Sequence, residues 1–227
     1  MVSGRARRGS VSAPRDRAGA AVMGRRGAVV GLAAAAVGLA VARPALGDSL
    51  TPEERARLNE GHVVRRDLAF ELGDSRYVGG VAYVVVQAPM KDVIDVLVDV
   101  NAYTKIFPLT AEAKDVGRRG GDRLITLKHW TRFATAKYTV HVRRESQGVV
   151  RFWMDASFPH DIKDCWGYFR LQPLSKAKTL VTYGAALDLG EGLTRILFEG
   201  LIQGHAMRTP ELLRRYVESK PRSVPGR

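Results

Sequence analysis

The 227 residues carry a formal charge of +13, with 45% apolar residues and a single cysteine. Eight arginines against one aspartate fall before residue 48, so the 180 residues from Asp48 onward carry only +6 and show no basic cluster interleaved with aromatics; no nucleic acid partner is expected. Cys165 alone permits no intrachain disulfide and no paired-thiol metal set, and it is expected to serve as a small buried apolar residue.

In chain order, residues 1–22 are rich in Arg, Gly, Ser and Ala without an apolar period, the composition of a leader outside any fold. From Met23, which makes a natural start, Gly24-Arg25-Arg26 precedes the uncharged run Gly27 to Ala42 and then Arg43-Pro44-Ala45-Leu46-Gly47. That is a charged n-region, an apolar h-region and a small-x-small cleavage pattern, so residues 23–47 are expected to be removed after Gly47. The run falls short of the roughly 20 apolar residues that span a bilayer. Arg25-Arg26 points only weakly to twin-arginine export, because Gly27 and Ala28 replace the bulkier residues usual there. The expected location is periplasmic or extracytoplasmic.

Residues 48–76 read as an N-terminal extension. Thr51-Pro52-Glu53-Glu54 is a capping box opening a helix to Asn59, and His62–Leu72 reads as a strand. Tyr77–Val86 is a stronger strand with both faces apolar, which predicts cover on both sides. Ala88-Pro89 ends it and starts a helix, Pro89–Val100, on the stripe Met90, Val93, Ile94, Leu97, Val100. A short helical piece through Tyr103 and Ile106 follows, stopped by Phe107-Pro108. From Ala111 to Leu189 the period is two, with strands at Glu112–Gly117, Arg123–Trp130, Ala136–Arg144, Val149–Phe158, Lys163–Leu171 and Thr179–Leu189, a predicted antiparallel meander. The last helix is expected over Leu193–Ser219, its stripe Leu193, Ile196, Leu197, Leu201 sharing spacing with Gly200 and Gly204. Interior glycine costs a helix about 1 kcal/mol, so these glycines serve either room between helix and sheet or close packing. Residues 221–227 form a tail.

Four segments stand out within Tyr77–Ser219: Val84-Val85-Val86-Gln87-Ala88-Pro89-Met90-Lys91-Asp92-Val93, Asn101-Ala102-Tyr103 leading to Phe107-Pro108, Gly167-Tyr168-Phe169-Arg170-Leu171-Gln172-Pro173, and Leu212-Leu213-Arg214-Arg215-Tyr216. With this element order they resemble the START-like (helix-grip, SRPBCC) superfamily, which includes lipid-transfer domains, polyketide cyclases and aromatases, and coenzyme Q-binding proteins. The resemblance implies an α+β domain over residues 77–220. About seven antiparallel strands would curve around a C-terminal helix, with two short helices after the first strand and a largely apolar pocket between sheet and helix.

Candidate pocket residues are Trp130, Tyr138, Trp153, Trp166 and Tyr183 on strands, with Ile196, Leu197, Phe198, Gly200, Leu201, Gly204 and His205 on the last helix. His129 is expected to point to solvent if Trp130 points inward, and Asp155 to make a cross-strand ion pair. The mouth is expected near Ala102 to Leu109 and Gly190 to Gly192. The chain has no His-x-x-x-His or Cys-x-x-Cys set, no strand-to-helix phosphate loop and no serine nucleophile motif, so no metal and no cofactor is expected. These features point to binding or carriage of a hydrophobic small molecule (lipid, sterol, quinone or polyketide), with transient contact at a membrane surface. Two alternatives stay open. One is a polyketide cyclase or aromatase in which Tyr183 or His205 moves protons. The other is an accessory protein with a vestigial pocket that binds a partner through its outer sheet edge or through Arg208, Arg214 and Arg215.

Overall fold

The structure, a computed structural model, describes residues 49–131, 135–191 and 204–220, all within the compact unit Pro44–Arg227. The expected leader, export segment and tail, and Leu193, Ile196, Leu197, Phe198, Gly200 and Leu201, lie outside the described residues.

Helix α1 (Pro52–Asn59) opens on the expected capping box: Glu54 N–H donates to Thr51 Oγ1 at 3.2 Å and Thr51 N–H to Glu54 Oε2 at 2.8 Å. Strand β1 (Val64–Leu72) takes hold of this helix through Arg66, whose Nε donates to Glu54 Oε1 at 2.8 Å. Strand β2 (Ser75–Val86) leads to α2 (Met90–Val98), a 3-10 turn (Val100–Ala102) and α3 (Tyr103–Ile106). The meander comprises β3 (Thr110–Arg119), β4 (Asp122–Trp130), β5 (Thr135–Ser146), β6 (Val149–Met154), β7 (Asp164–Ser175) and β8 (Lys178–Asp188). All neighbours are antiparallel in one sheet of order β1-β2-β8-β7-β6-β5-β4-β3. The α+β architecture and the two short helices are as expected. Seven strands belong to residues 77–220, and β1 from the extension adds an eighth at the edge.

Two of the differences from the expected boundaries have a clear local cause. Strand β6 stops at Met154 rather than Phe158, because Asp155 Oδ1 accepts from Ser157 N–H at 2.9 Å and folds the chain into a local turn. The last helix is not continuous: residues 204–206 are helical, Met207 and Arg208 form a turn, and α4 begins anew at Thr209–Ser219. Pro210 is the cause, since it has no N–H to give the Ala206 carbonyl and its ring crowds that oxygen, whereas the first turn of a new helix accepts it.

The sheet is covered on both faces. On the concave side Val84, Val86, Val93, Leu97, Leu213 and Val217 form the main core. On the convex side Leu58 from α1 joins Val64, Tyr77, Val81, Tyr83, Trp166 and Ala186 in a second cluster, and Tyr77 Oη donates to Asp164 Oδ2 at 2.7 Å at its end. Further along this face, His141 lies between two buried carboxylates, with Nδ1 3.1 Å from Asp122 Oδ2 and Nε2 3.1 Å from Asp155 Oδ2. Arg143 and Arg119 pair with Asp122 and Asp155 respectively. The Arg143 hydrogen bonds hold the Asp122 carboxyl below its ordinary range, and those from Ser157 do so for Asp155. Asp155 is thus a cross-strand ion-pair residue.

Candidate functional site

The concave face and the elements packed over it enclose a cavity of about 400 Å³. Alternation along each strand decides what faces it: Leu127 and His129 from β4; Tyr138, Val140 and Val142 from β5; Val150 and Phe152 from β6; Cys165 and Phe169 from β7; Tyr183, Ala185 and Leu187 from β8. Leu97, Tyr103 and the turn Phe107 to Leu109 close one side, and His205, Ala206 and Thr209 another. That turn is pinned to the sheet by Trp130 N–H, which donates to the Leu109 carbonyl at 2.8 Å, with Leu109 in the left-handed region at φ 61°. Phe169 packs tilted at 38° against Tyr183, ring centroids 4.8 Å apart, and at 6.2 Å edge-on against Phe107. The walls are thus mainly aromatic and aliphatic.

Of the expected pocket residues, Tyr138, Tyr183 and His205 line this cavity. Trp130 does not: it is 59% exposed on the outside of β4. Trp153 lies on the convex face, its ring stacked at 5.0 Å on His141, and Trp166 is buried in the convex cluster against Phe70 and Tyr77. All three were placed inward because they are large and apolar, but their strand neighbours Leu127, Phe152 and Cys165 take the concave parity. Gly204 is exposed, and a Cβ there would meet nothing within 4 Å, so it serves neither of the roles its spacing suggested. His129 is the converse correction. It shares parity with Ile125 and Leu127, which are buried, and that alternation was the signal that would have turned it inward.

His129 is the centre of the polar part of the wall. Its Nε2 lies 2.8 Å from Tyr138 Oη and its Nδ1 3.2 Å from Thr110 Oγ1, with the imidazole and phenol rings stacked at 5.3 Å. The imidazole lines the cavity, and burial brings it down to about pKa 4, against a smaller opposing effect of the Pro108 carbonyl. Burial also raises the Tyr138 and Tyr183 phenols, so both are protonated at neutral pH. Because the unfolded chain binds the His129 proton near pH 6.5 and the folded one only near 4, stability should rise with pH across that window. The expected contribution is up to about 1.4 kcal/mol per pH unit. Denaturant titrations at pH 4.5 and 7 should show it, and His129→Gln should remove that part of the slope; an unchanged slope in the variant would refute the assignment.

Among the described residues no group of three His, Cys, Asp or Glu side chains could hold a metal ion, and no helix is long and apolar enough to cross a membrane. No family model matches the chain, and no curated protein matches it in sequence. Solved structures do. A STAR-related lipid transfer protein from Xanthomonas axonopodis superposes with a TM-score of 0.55 at 18% identity, over 66% of this chain and 92% of that one. The Zhui aromatase/cyclase from a Streptomyces species gives 0.54 at 15%, over 73% and 99%. A START superfamily protein from Mycobacterium smegmatis gives 0.51 at 15%, over 70% and 98%.

The fold is START-like. In this START-like frame the cavity occupies the space between the curved sheet and the elements before and after it. Its wall uses Cys165 and Phe169, which flank Trp166 and Gly167 in β7, and Phe152, which neighbours Trp153 in β6. Those positions were legible as strand but not as cavity wall.

Proposed function

We propose that this chain binds and carries a hydrophobic small molecule in the START-like cavity, outside the cytoplasm. The supporting observation is the cavity itself: about 400 Å³ of mainly apolar wall, within the roughly 300–1,000 Å³ of pockets that hold drug-sized ligands. A lipid transfer protein and an aromatase/cyclase among the similar structures agree with such a use of the fold. The export pattern of residues 23–47 supports the location. The exposed Trp130, next to the rim residue Thr131, is an aromatic suited to a membrane–water boundary, and we assign it a transient contact there.

One experiment tests ligand and location together. Native mass spectrometry of the protein recovered from the periplasm of an expressing bacterium should show a chain beginning at Asp48 with an additional organic mass. Val140→Phe, which fills the cavity from a buried position, should lower the bound fraction at least tenfold while leaving the chain mass otherwise as expected. A chain that retains residues 23–47 refutes the location. Bare protein after extraction-free purification, or equal occupancy in Val140→Phe, refutes the ligand.

A further inference from the structure

We infer that the ligand is an uncharged molecule carrying a hydroxyl group, and that Tyr138, held by His129, is the anchor for that hydroxyl. This inference rests on the cavity being a ligand site and concerns what that site selects.

Three observations carry it. The first is the hydrogen-bonding capacity left over at the His129–Tyr138 pair. A phenol offers one donor and two acceptor positions, and a neutral imidazole one of each. Contact with Nε2 at 2.8 Å uses one position of Tyr138 Oη, while Thr110 and the Pro108 carbonyl hold the rest of the imidazole. Tyr138 lines the cavity, and among the described residues the contact with His129 leaves capacity at Oη unspent. A hydroxyl, able both to donate and to accept, suits it whichever of the two groups supplies the shared proton.

The second is Thr209, which is 1% exposed and lines the same cavity; its hydroxyl lies toward the Tyr183 phenol but makes no hydrogen bond of good geometry among the described residues. A buried hydroxyl of this kind is costly when left unpaired. A ligand that brings an oxygen into the cavity relieves that cost.

The third is the absence of a cation: among the described residues lining the cavity there is no Lys or Arg, and the one charged side chain is Asp161. A carboxylate or phosphate taken into this space would be desolvated with no cation among the described lining residues to pair it. The cavity is also small for a two-chain lipid, since its volume sits near the lower end of the drug-sized range.

The test uses the full chain stripped of bound molecules by organic extraction, with Nile red as a neutral reporter and 1-dodecanol, dodecane and dodecanoate as competitors. Tyr138→Phe keeps the ring and removes the oxygen. It should weaken dodecanol about tenfold and leave dodecane unmoved, the size expected for one buried hydrogen bond. In the native chain dodecanoate should bind at least tenfold more weakly than dodecanol. A second measurement needs no substitution: with tyrosine labelled at the ring Cζ, dodecanol should shift a buried tyrosine resonance that dodecane does not. The anchor is overturned if Tyr138→Phe weakens dodecanol and dodecane equally or neither, if dodecanoate binds best, or if the two neutral probes shift the same resonances alike. No uptake of Nile red or of any competitor would instead overturn the cavity reading from which the inference starts.

Discussion

Replacing Gly79 by alanine is expected to destabilise the protein by about 3 kcal/mol or more, enough to leave much of it unfolded. A Cβ built on Gly79 would lie 1.9 Å from the Ala185 carbonyl oxygen of β8, and one on the adjacent Gly80 would lie 2.2 Å from the Arg66 carbonyl oxygen of β1. No side-chain rotation relieves these contacts, because the opposing atoms are backbone in both neighbouring strands. The φ angles of 159° and 152° add strain for any residue with a Cβ. Two successive glycines thus let the middle of β2 bend while β1 and β8 stay paired to it, a use of glycine typical of sharply coiled strands. Guanidinium denaturation of Gly79→Ala against the native chain checks this, and a midpoint shift equivalent to under 0.5 kcal/mol, about the scatter of harmless surface changes, would contradict the contact argument.

Truncating Trp166 to alanine is expected to cost about 3–5 kcal/mol of stability, the usual range for emptying a large aromatic site. Ligand occupancy in the folded fraction should not change. Trp166 is 6% exposed and packs at 6.2 Å edge-on to Tyr77 and at 6.4 Å from Phe70, on the face of the sheet away from the cavity. Phe169→Ala, three residues along the same strand but of opposite parity, should instead alter the occupant, because it removes part of the cavity wall. Thermal melts and native mass spectrometry of the two variants separate stability from occupancy. Loss of the bound mass in Trp166→Ala with the fold intact would place the site on the wrong side of the sheet.

These two variants also mark where inference from sequence stops. The alternation in β5 identified Tyr138 and Val140 as one face, because Lys137, Thr139 and His141 opposite them are polar. Strand β7 gives no such contrast. Cys165 and Trp166 are both buried, since the convex cluster covers the back of the sheet there while the main core covers the front. A strand buried on both sides has no wet face to set its parity. Size and hydrophobicity then favoured the tryptophans, and they chose the convex layer. His129 was lost differently: taking Trp130 as inward turned its neighbour out, although Thr126 and Lys128 mark the wet face of β4. The interruption before α4 was legible in Pro210 but was overridden by the apolar stripe preceding it.

Element order, the capping box of α1 and the two helices after β2 followed from local chemistry: where polar and apolar residues recur, where proline breaks a run and where a carboxylate can cap. Such features depend on neighbours within a few positions of the chain. Which face of each strand meets the cavity depends on what covers the other face, and that cover comes from residues more than 60 positions away: Leu58 of α1 lies in the same convex cluster as Trp166. Only the tertiary structure decided it, and with it that His129, rather than the tryptophans, faces the cavity beside Tyr138.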